Sequence, residues 1–318
     1  MPSQVKFGKG FEYACLIYLY RELSVEQQVD VIMDASFHKT RQSFEELDNK
    51  NQIEMLNAAQ AAARVLIRLE PNLIASQENS PLYLSIQPDN RGRVGDVRDV
   101  LAMRRQNDWE VGISAKHNHD AVKHSRLSFT IDFGLEWFGI PCSQNYFQTI
   151  RPLFEELKEL TTSGQLWRNI NNKSERFYIP LLKAFLKELR QLDENNPGIV
   201  PMRLLSYLLG RNDFYKVIAN RSTQTTTIQA FSLYGTLNRA AGKIQPQTKI
   251  PKLKLPNRFY NLDFKPGNAN TIIIACDEGW TITARIHNAS SYVEPSLKFD
   301  IKLGGNPPSL YTHHEPWN

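Results

Sequence analysis

Two runs of alternating residues, separated by a short polar turn, constrain the fold of this chain most strongly. The segment "GDVRDVLAMRRQNDWEVGISAK", residues 95–116, alternates apolar and polar positions on both sides of Arg105–Asp108. A period of two is typical of half-buried strands. The segment therefore predicts two adjacent antiparallel strands, the second of which ends at Lys116.

Helical periodicity surrounds this strand pair. "GFEYACLIYLYREL", residues 10–23, spaces its apolar residues mostly by three and four, and residues 51–74 form a second helical pattern that Pro71 interrupts. We also predict a helix that starts near Asp120 and further helices within Tyr146–Leu192. "TIIIACDEGWTITARIHNAS" and "SLKFDIKL" predict strands, with "DEG" as a turn.

The best candidate for a linker is "ENNPGIVP", residues 194–201, which is rich in proline and asparagine. It divides the chain into residues 1–195 and residues 196–318. The expected fold class is α/β, with a mixed sheet flanked by helices, followed by a C-terminal α+β region.

Charge is distributed unevenly along the chain. The formal net charge is +5, but no Asp or Glu occurs from Lys216 to Leu262, where eight Lys and Arg residues lie. Uncompensated positive charge together with amide and hydroxyl side chains suits a polyanion such as DNA. A solvated basic surface without a ligand is the alternative.

Cysteine use suggests the compartment. The three cysteines, Cys15, Cys142 and Cys276, are far apart and form no CxxC pair. This argues against a disulfide framework and against a structural zinc site. We therefore expect a reducing, cytoplasmic setting.

The end of the strand pair carries residues suited to phosphodiester hydrolysis. Mg²⁺ prefers oxygen ligands, usually one or two carboxylates completed by water and phosphate. An acid on one strand can face alternate residues of the next strand, and Asp99 fits this arrangement with Ser114 and Lys116. We expect Asp99 to hold the metal and the Lys116 ammonium to approach the attacking water or the scissile phosphate.

This arrangement resembles the PD-(D/E)xK nuclease superfamily. In that superfamily an acid precedes a turn, and a (D/E)xK triplet, which is an acid, any residue and a lysine, follows on the next strand. "GDVRD" supplies the first acid, whereas "SAK" places Ser114 where the second carboxylate normally lies. The resemblance implies a relocated acid. Glu12, on the opening helix, is the first candidate, and Asp120 is the second. Asp96 is an alternative to Asp99 as the strand acid.

The wider sequence is similar to the HaeIII-type restriction endonucleases. The similarity lies in "GDVRDVLAMR", "WEVGISAKHNHDAVKHSRLS" and "RIHNASSYVEPSLKFDIKL", which together cover 49 of the 318 residues. It implies a type II restriction endonuclease that hydrolyses both strands of DNA at GGCC with Mg²⁺. We accordingly predict that residues 1–195 form the nuclease core and that residues 196–318 form a basic DNA-recognition region.

DNA contacts are expected from two groups of residues. On the helix predicted from Asp120, basic side chains are expected to contact phosphates, namely Lys123, His124 and Arg126. Candidates for reading bases lie further along the chain, namely Asn220, Arg221, Arg239, Arg285, His287 and Asn288. A palindromic target suggests a homodimer, although a monomer that nicks the strands in turn is the alternative.

Three other functions remain open from the residues alone. His117, His119 and His124 are possible ligands of a zinc hydrolase, since imidazole often binds zinc. A non-catalytic, sequence-specific DNA-binding protein needs only the basic region. A metal-dependent hydrolase of small phosphate compounds leaves the acid-free segment without a purpose.

Overall fold

The structure is a computed structural model that describes residues 4–75, 81–89, 95–117, 121–305 and 307–317. The chain divides into two compact units, each built from separate segments. Unit 1 comprises Met1–Asp120, Gly210–Leu253 and Ser309–Asn318, and unit 2 comprises Ala121–Leu209 and Lys254–Pro308.

Elements are numbered in chain order. The helices of unit 1 are α1 (Gln4–Leu23), α2 (Ala35–Glu45), α3 (Asn49–Leu69) and α4 (Pro71–Ile74). Its strands are β1 (Val29–Val31), β2 (Leu82–Ile86), β3 (Val100–Arg104), β4 (Trp109–His117), β6 (Phe214–Asn220), β7 (Thr225–Phe231) and β12 (Tyr311–Pro316). A 3₁₀ turn over Arg105–Asn107 joins β3 to β4.

The elements of unit 2 form a second set. Its helices are α5 (Phe133–Phe138), α6 (Gln144–Thr162), α7 (Ile179–Asn195) and α8 (Val200–Leu209), and a π-helical turn over Ser174–Tyr178 precedes α7. Its strands are β5 (Ala121–Leu127), β8 (Phe259–Phe264), β9 (Thr271–Cys276), β10 (Thr281–His287) and β11 (Leu297–Leu303). Shorter 3₁₀ turns occupy Trp167–Asn169 and Asp277–Gly279.

Unit 1 is organised around a mixed sheet in the order β1-β2-β3-β4-β6-β7-β12. β1–β2 and β4–β6 are parallel pairs, and the other neighbours are antiparallel. Helices α1 and α3 pack on this sheet and bury an apolar core, because their buried positions recur every three or four residues. The expected mixed sheet flanked by helices is confirmed.

The local signals for these elements are visible in the sequence. The carboxylate of Asp48 caps α3 by accepting a hydrogen bond from Asn51 N at 2.9 Å. α3 ends at Leu69, and Pro71 begins α4, as expected for a residue that cannot donate a backbone hydrogen bond. The hairpin of β3 and β4 lies where the alternation predicts it.

The predicted division at residue 195 does not coincide with the two units. β6 and β7 come after residue 195 but join the same sheet as β3 and β4, because β6 pairs in parallel with β4 from Gly112↔Phe214 to His117↔Ala219. The division into 1–195 and 196–318 therefore separates strands that are hydrogen-bonded neighbours.

The helix predicted from Asp120 is wrong for the residues that follow it. Residues 121–127 form strand β5 at the edge of a five-stranded sheet with the order β5-β11-β10-β9-β8. Pairing with β11 from Leu297↔Leu127 explains this outcome, because Leu127 and Ser125 are buried whereas Arg126 between them is exposed. That alternation favours a strand, and tertiary pairing overrides a weak helical preference.

Among the helices in the described ranges, none is both long enough and apolar enough to cross a lipid bilayer.

Candidate active site

Asp99 and Lys116 meet at the end of the β3–β4 strand pair, where β3 begins and β4 ends. Oδ2 of Asp99 accepts hydrogen bonds from Lys116 Nζ at 3.1 Å and from the backbone N–H of Ala115 at 2.8 Å, with the Ser114 hydroxyl at 3.4 Å. The antiparallel pair Val100↔Ile113 produces this geometry, because it brings Asp99 beside Ser114. The structure thus brings together the predicted strand acid, the serine and the lysine.

Glu12 belongs to the same site. It lies on the otherwise apolar buried face of α1, and its side chain is only 9% exposed. Burial raises the pKa of Glu12 to about 7, and the negative charge of Asp99 adds to this increase, whereas Lys9 and Lys116 oppose it. Because α1 packs against β3 and β4, and the charges of Asp99 and Lys116 act on Glu12, the helix acid lies near the strand residues.

The donor atoms of this cluster fit a hard divalent cation. Oδ1 of Asp99 and Oε1 of Glu12 accept no hydrogen bond from the residues that the structure describes. Within those residues no group of three or more His, Cys, Asp or Glu side chains is placed to hold a metal ion. Mg²⁺ commonly uses only one or two carboxylates, with water and substrate phosphate as its other ligands. Two carboxylates are therefore a sufficient protein contribution.

Lys9 is a site residue that the sequence reasoning missed. Its Nζ lies 2.9 Å from Oε2 of Glu12, three residues along α1, and it also pairs with Asp89. The i, i+3 spacing of a lysine and an acid on one helix was the available signal. A cavity of about 140 Å³ is lined by Lys9 and Asp89 but by none of Glu12, Asp99 and Lys116, so Lys9 is its link to the acid cluster.

The alternative acid Asp96 has a different task. Its two carboxylate oxygens accept hydrogen bonds from Arg98 at 2.8 and 2.7 Å, and Arg98 also donates to Glu110 at 2.6 Å. The Arg98 side chain lies across Gly112, where a Cβ atom would be only 2.0 Å from Arg98 Cδ. Asp96 and Arg98 therefore fix the backbone just before Asp99.

The histidines do not form a metal site in the described part of the chain. The ring of His117 stacks on Phe7 with centroids 5.2 Å apart, and burial lowers its pKa, with a further contribution from Arg221. His119 lies outside the described residues, as does the second candidate acid, Asp120. His124 is part of β5, and its side chain is not described.

The candidates from the acid-free segment contact the protein itself. Arg221 pairs with Glu54 at 2.5 Å, and Asn220 donates to the Thr227 hydroxyl at 2.8 Å. Nε of Arg239 donates to the carbonyl oxygen of Gly235 at 2.9 Å.

The remaining DNA-contact candidates lie in unit 2. Arg126, on β5, and Arg285 and His287, on β10, belong to the five-stranded sheet, and Asn288 follows β10 directly. Lys123 is also in β5, where its backbone pairs with Ile301.

Comparison with known proteins identifies the family. Residues 8–307 match the family described as HaeIII restriction endonuclease. The chain is 41% identical over 310 residues to the type II restriction enzyme HaeIII of Haemophilus aegyptius, which covers 98% of this chain and 97% of that enzyme. No solved structure matches the chain significantly. The chain therefore belongs to the HaeIII restriction endonuclease family and is a type II site-specific deoxyribonuclease.

Proposed function

We propose that this enzyme hydrolyses both strands of double-stranded DNA at GGCC in a Mg²⁺-dependent reaction. The observation that carries the chemistry is the hydrogen-bonded pair of Asp99 and Lys116, with Glu12 beside them. The similarity to the Haemophilus enzyme along almost the whole chain supports the proposed target sequence.

We also assign the catalytic core to the PD-(D/E)xK type. The mixed sheet, with an acid at the start of β3 and a lysine at the end of β4, supports this assignment. Ser114 replaces the usual second carboxylate and is 3% exposed, so it contributes a hydroxyl beside Asp99 and leaves the second acidic ligand to Glu12.

The residues of the cluster have separable tasks. Asp99 and Glu12 would hold Mg²⁺ through the carboxylate oxygens that accept no hydrogen bond from the described residues, and the bound ion would supply charge neutralisation on the phosphate and a more acidic water. Lys116 positions its ammonium beside Asp99, where it orients the attacking water and stabilises the charge that builds up on the phosphate. The water oxygen bonds to phosphorus as the bond to the leaving sugar oxygen breaks.

Catalysis and DNA recognition are assigned to different parts of the chain. The catalytic residues all lie in unit 1, whereas Arg126, Arg285 and His287 lie in unit 2. We propose this division in place of a single boundary near residue 195. Because the substrate is DNA, we further propose a cytoplasmic location and, because the target is palindromic, a homodimer as the active form on DNA.

Plasmid digestion tests the proposal. The purified protein is incubated with plasmid DNA in Mg²⁺ or in chelator, and the fragment ends are sequenced. We expect discrete Mg²⁺-dependent fragments that end within GGCC, no cleavage by Asp99→Asn, and normal cleavage by Asp263→Asn, a matched change at an exposed acid on β8. DNA that stays intact but shifts in a gel would instead indicate a non-catalytic binding protein. Fragments that end elsewhere would refute GGCC as the target.

A further inference from the structure

The five-stranded sheet of unit 2 has two unlike faces. On one face, buried apolar residues alternate along β10 and β11, and the helices of unit 2 pack against them. The ring of Phe299 on β11 lies 5.2 Å from Phe185 of α7 and 6.2 Å from Trp137 of α5. The alternate residues of these strands therefore point to the face that the helices do not cover.

That second face is strongly basic. Arg126, Lys298 and His287 are register partners across β5, β11 and β10, and Arg285 pairs with Asp300 in the adjacent row. Lys302 pairs with Thr283 further along β11 and β10. Adjacent strands are about 4.8 Å apart, and next-but-one residues of a strand are about 7 Å apart. The cations therefore form a closely spaced array, and we call these five basic residues, Arg126, Arg285, His287, Lys298 and Lys302, the basic face.

One buried acid organises the centre of the basic face. Oδ2 of Asp300 lies 2.6 Å from Nε2 of His287 and 3.7 Å from the guanidinium of Arg285, and its Oδ1 lies 3.6 Å from Lys298 Nζ. The Asp300 side chain is only 12% exposed, whereas Arg285 is 56% exposed and Lys298 is 31% exposed. The acid thus lies beneath the cations and leaves them at the surface.

The edge of the array is arranged in a similar way. Arg126 donates to the Ser296 hydroxyl at 2.7 Å and lies 3.5 Å from Glu294, yet 42% of its side chain remains exposed. Among the described residues, three Lys and Arg side chains, Arg126, Arg285 and Lys298, share two acids, Asp300 and Glu294, which leaves an excess of positive charge in this group. Another acid, Asp263, lies on β8, where it pairs with Ile273 of β9. β8 is two strands from β10, the nearest strand that carries residues of the basic face.

We propose that the basic face is the surface through which the enzyme contacts the phosphate backbone of double-stranded DNA. This proposal rests on the proposed endonuclease function and adds where the DNA is held. Fully or partly exposed cations that neighbouring acids hold in place, side by side on a sheet surface, complement the regular negative charge of a duplex. In the acid-free segment, Arg221 is paired with Glu54 and Arg239 bonds its own loop.

The test measures DNA binding as a function of salt. Arg126→Gln/Lys298→Gln removes two cations from the basic face, and Lys183→Gln/Lys187→Gln removes two exposed cations from α7, which packs on the opposite face. Binding to a GGCC duplex and to a scrambled duplex is followed by fluorescence anisotropy in chelator, so that no cleavage occurs.

Each phosphate contact contributes about 0.9 to the slope of log K against log salt concentration. We therefore expect the basic-face variant to lower this slope by roughly two and to weaken binding to both duplexes by about tenfold or more, while the α7 variant matches the wild type. Circular dichroism and thermal midpoints establish that both variants fold. If the basic-face variant is less stable, Arg285→Gln is used instead, because its guanidinium is the most exposed.

Unchanged slope and affinity in a folded basic-face variant would overturn the proposal. A change in oligomeric state without a change in DNA affinity would also overturn it and would identify the face as a protein interface. The GGCC target is tested separately by comparing the two duplexes, and wild-type protein that binds both equally would contradict it. The role of the basic face would still be decided in that case, because the salt slopes of the variants can be compared on scrambled DNA alone.

Discussion

At the scale of single residues, the catalytic proposal depends on what Lys116 does beside Asp99. The Lys116 side chain is 27% exposed and its ammonium contacts Asp99, whereas Asp99 is also held by the backbone of Ala115. We expect Lys116→Ala to lower the single-turnover cleavage rate by about 10²-fold or more, because the lysine acts mainly on the transition state. Gel-shift affinity for DNA should change little, and Lys50→Ala, at an exposed site on α3, should behave as the wild type. Wild-type turnover of Lys116→Ala would remove the lysine from the mechanism.

Glu12 can be tested as the relocated acid. Glu12→Gln keeps the size of the side chain but removes a charged ligand. We therefore expect the Mg²⁺ concentration that gives half-maximal cleavage to rise about tenfold or more. Binding of Mn²⁺, measured by electron paramagnetic resonance without DNA turnover, should weaken in parallel. Glu22→Gln, at an exposed position of the same helix, is the control. An unchanged metal dependence would transfer the role to Asp120.

Gly112 tests whether Arg98 positions Asp99. A Cβ atom at Gly112 would displace the Arg98 side chain and thereby disturb its bonds to Asp96 and Glu110. Since small misplacements of catalytic groups can cost about 10²-fold in rate, we expect Gly112→Ala to reduce cleavage by about that factor with little loss of DNA affinity. Gly8→Ala is a matched control, because a Cβ atom there meets nothing within 4 Å. Full activity of Gly112→Ala would show that the position of Arg98 is irrelevant.

The sequence predicts these residues to different extents. The proximity of Asp99, Ser114 and Lys116 could be predicted because a hairpin with a short turn brings residues near in sequence together. The position of Glu12 near them was predicted only through the superfamily resemblance, since no local pattern connects α1 to β3. Lys9 and Arg98 were missed because a lysine or arginine near acids is common on protein surfaces, and only tertiary contacts distinguish them.

At the scale of elements, the strand pairs were predicted well, but β5 was not. The alternation in residues 121–127 is short and mixed with charge, so periodicity alone could not separate an edge strand from a helix. Its conformation depends on β11, which begins 170 residues after Leu127. Non-local pairing of this kind leaves no signal in a local window.

The junction of α3 and α4 contains a buried acid that should make stability depend on pH. Oε1 of Glu70 accepts hydrogen bonds from the Tyr215 hydroxyl and from Asn238 N, both at 2.7 Å, and its Oε2 has no partner within the described residues. Burial raises the pKa of Glu70 to about 7, and Asp213 contributes to this increase. The folded chain therefore holds a proton on Glu70 at pH values where the unfolded chain has lost it.

The sign of the effect follows from this raised pKa. Stability falls as pH rises from the ordinary glutamate pKa of 4.5 to about 7, and the full cost is present above that value. Between about pH 5 and pH 8 we expect the wild type to lose roughly 2 kcal/mol more of its unfolding free energy than Glu70→Gln does. Urea unfolding at both pH values measures this difference, with Glu22→Gln as the exposed control. Parallel pH profiles of the wild type and Glu70→Gln would show that Glu70 does not titrate in this range.

At the scale of the whole molecule, the class of fold could be predicted but the division of the chain could not. Proline and asparagine at residues 194–201 mark a real junction, since α7 ends at Asn195 and α8 begins at Val200. That junction lies within unit 2. The chain returns to unit 1 at Gly210, because β6 completes the mixed sheet beside β4. The acid-free segment begins nearby, at Lys216, but its charge was interpreted as a sign of DNA binding and not as a boundary between units.

The number of active sites leads to a prediction about assembly. Within the described residues, each chain has one cluster of Glu12, Asp99 and Lys116, but cleavage of a duplex requires two hydrolyses. On a palindromic site, two chains related by a two-fold axis supply one cluster to each strand. An excess of the folded but inactive Lys116→Ala should then form mixed dimers on DNA in which only one strand is cut.

Digestion of a plasmid with a single GGCC site measures this directly. We expect wild-type enzyme alone to produce mainly linear DNA, and a tenfold excess of Lys116→Ala to shift the product toward nicked circles at an unchanged or lower total rate. An equal excess of Lys116→Ala that also carries Arg126→Gln/Lys298→Gln should shift the product less, because it binds DNA more weakly if the basic face holds the duplex.

If the enzyme instead acts as a monomer that cuts the strands in turn, inactive protein competes for sites and slows both cuts. Nicked circles would then also accumulate transiently with the wild type alone, and that observation in dilute enzyme would contradict the dimer.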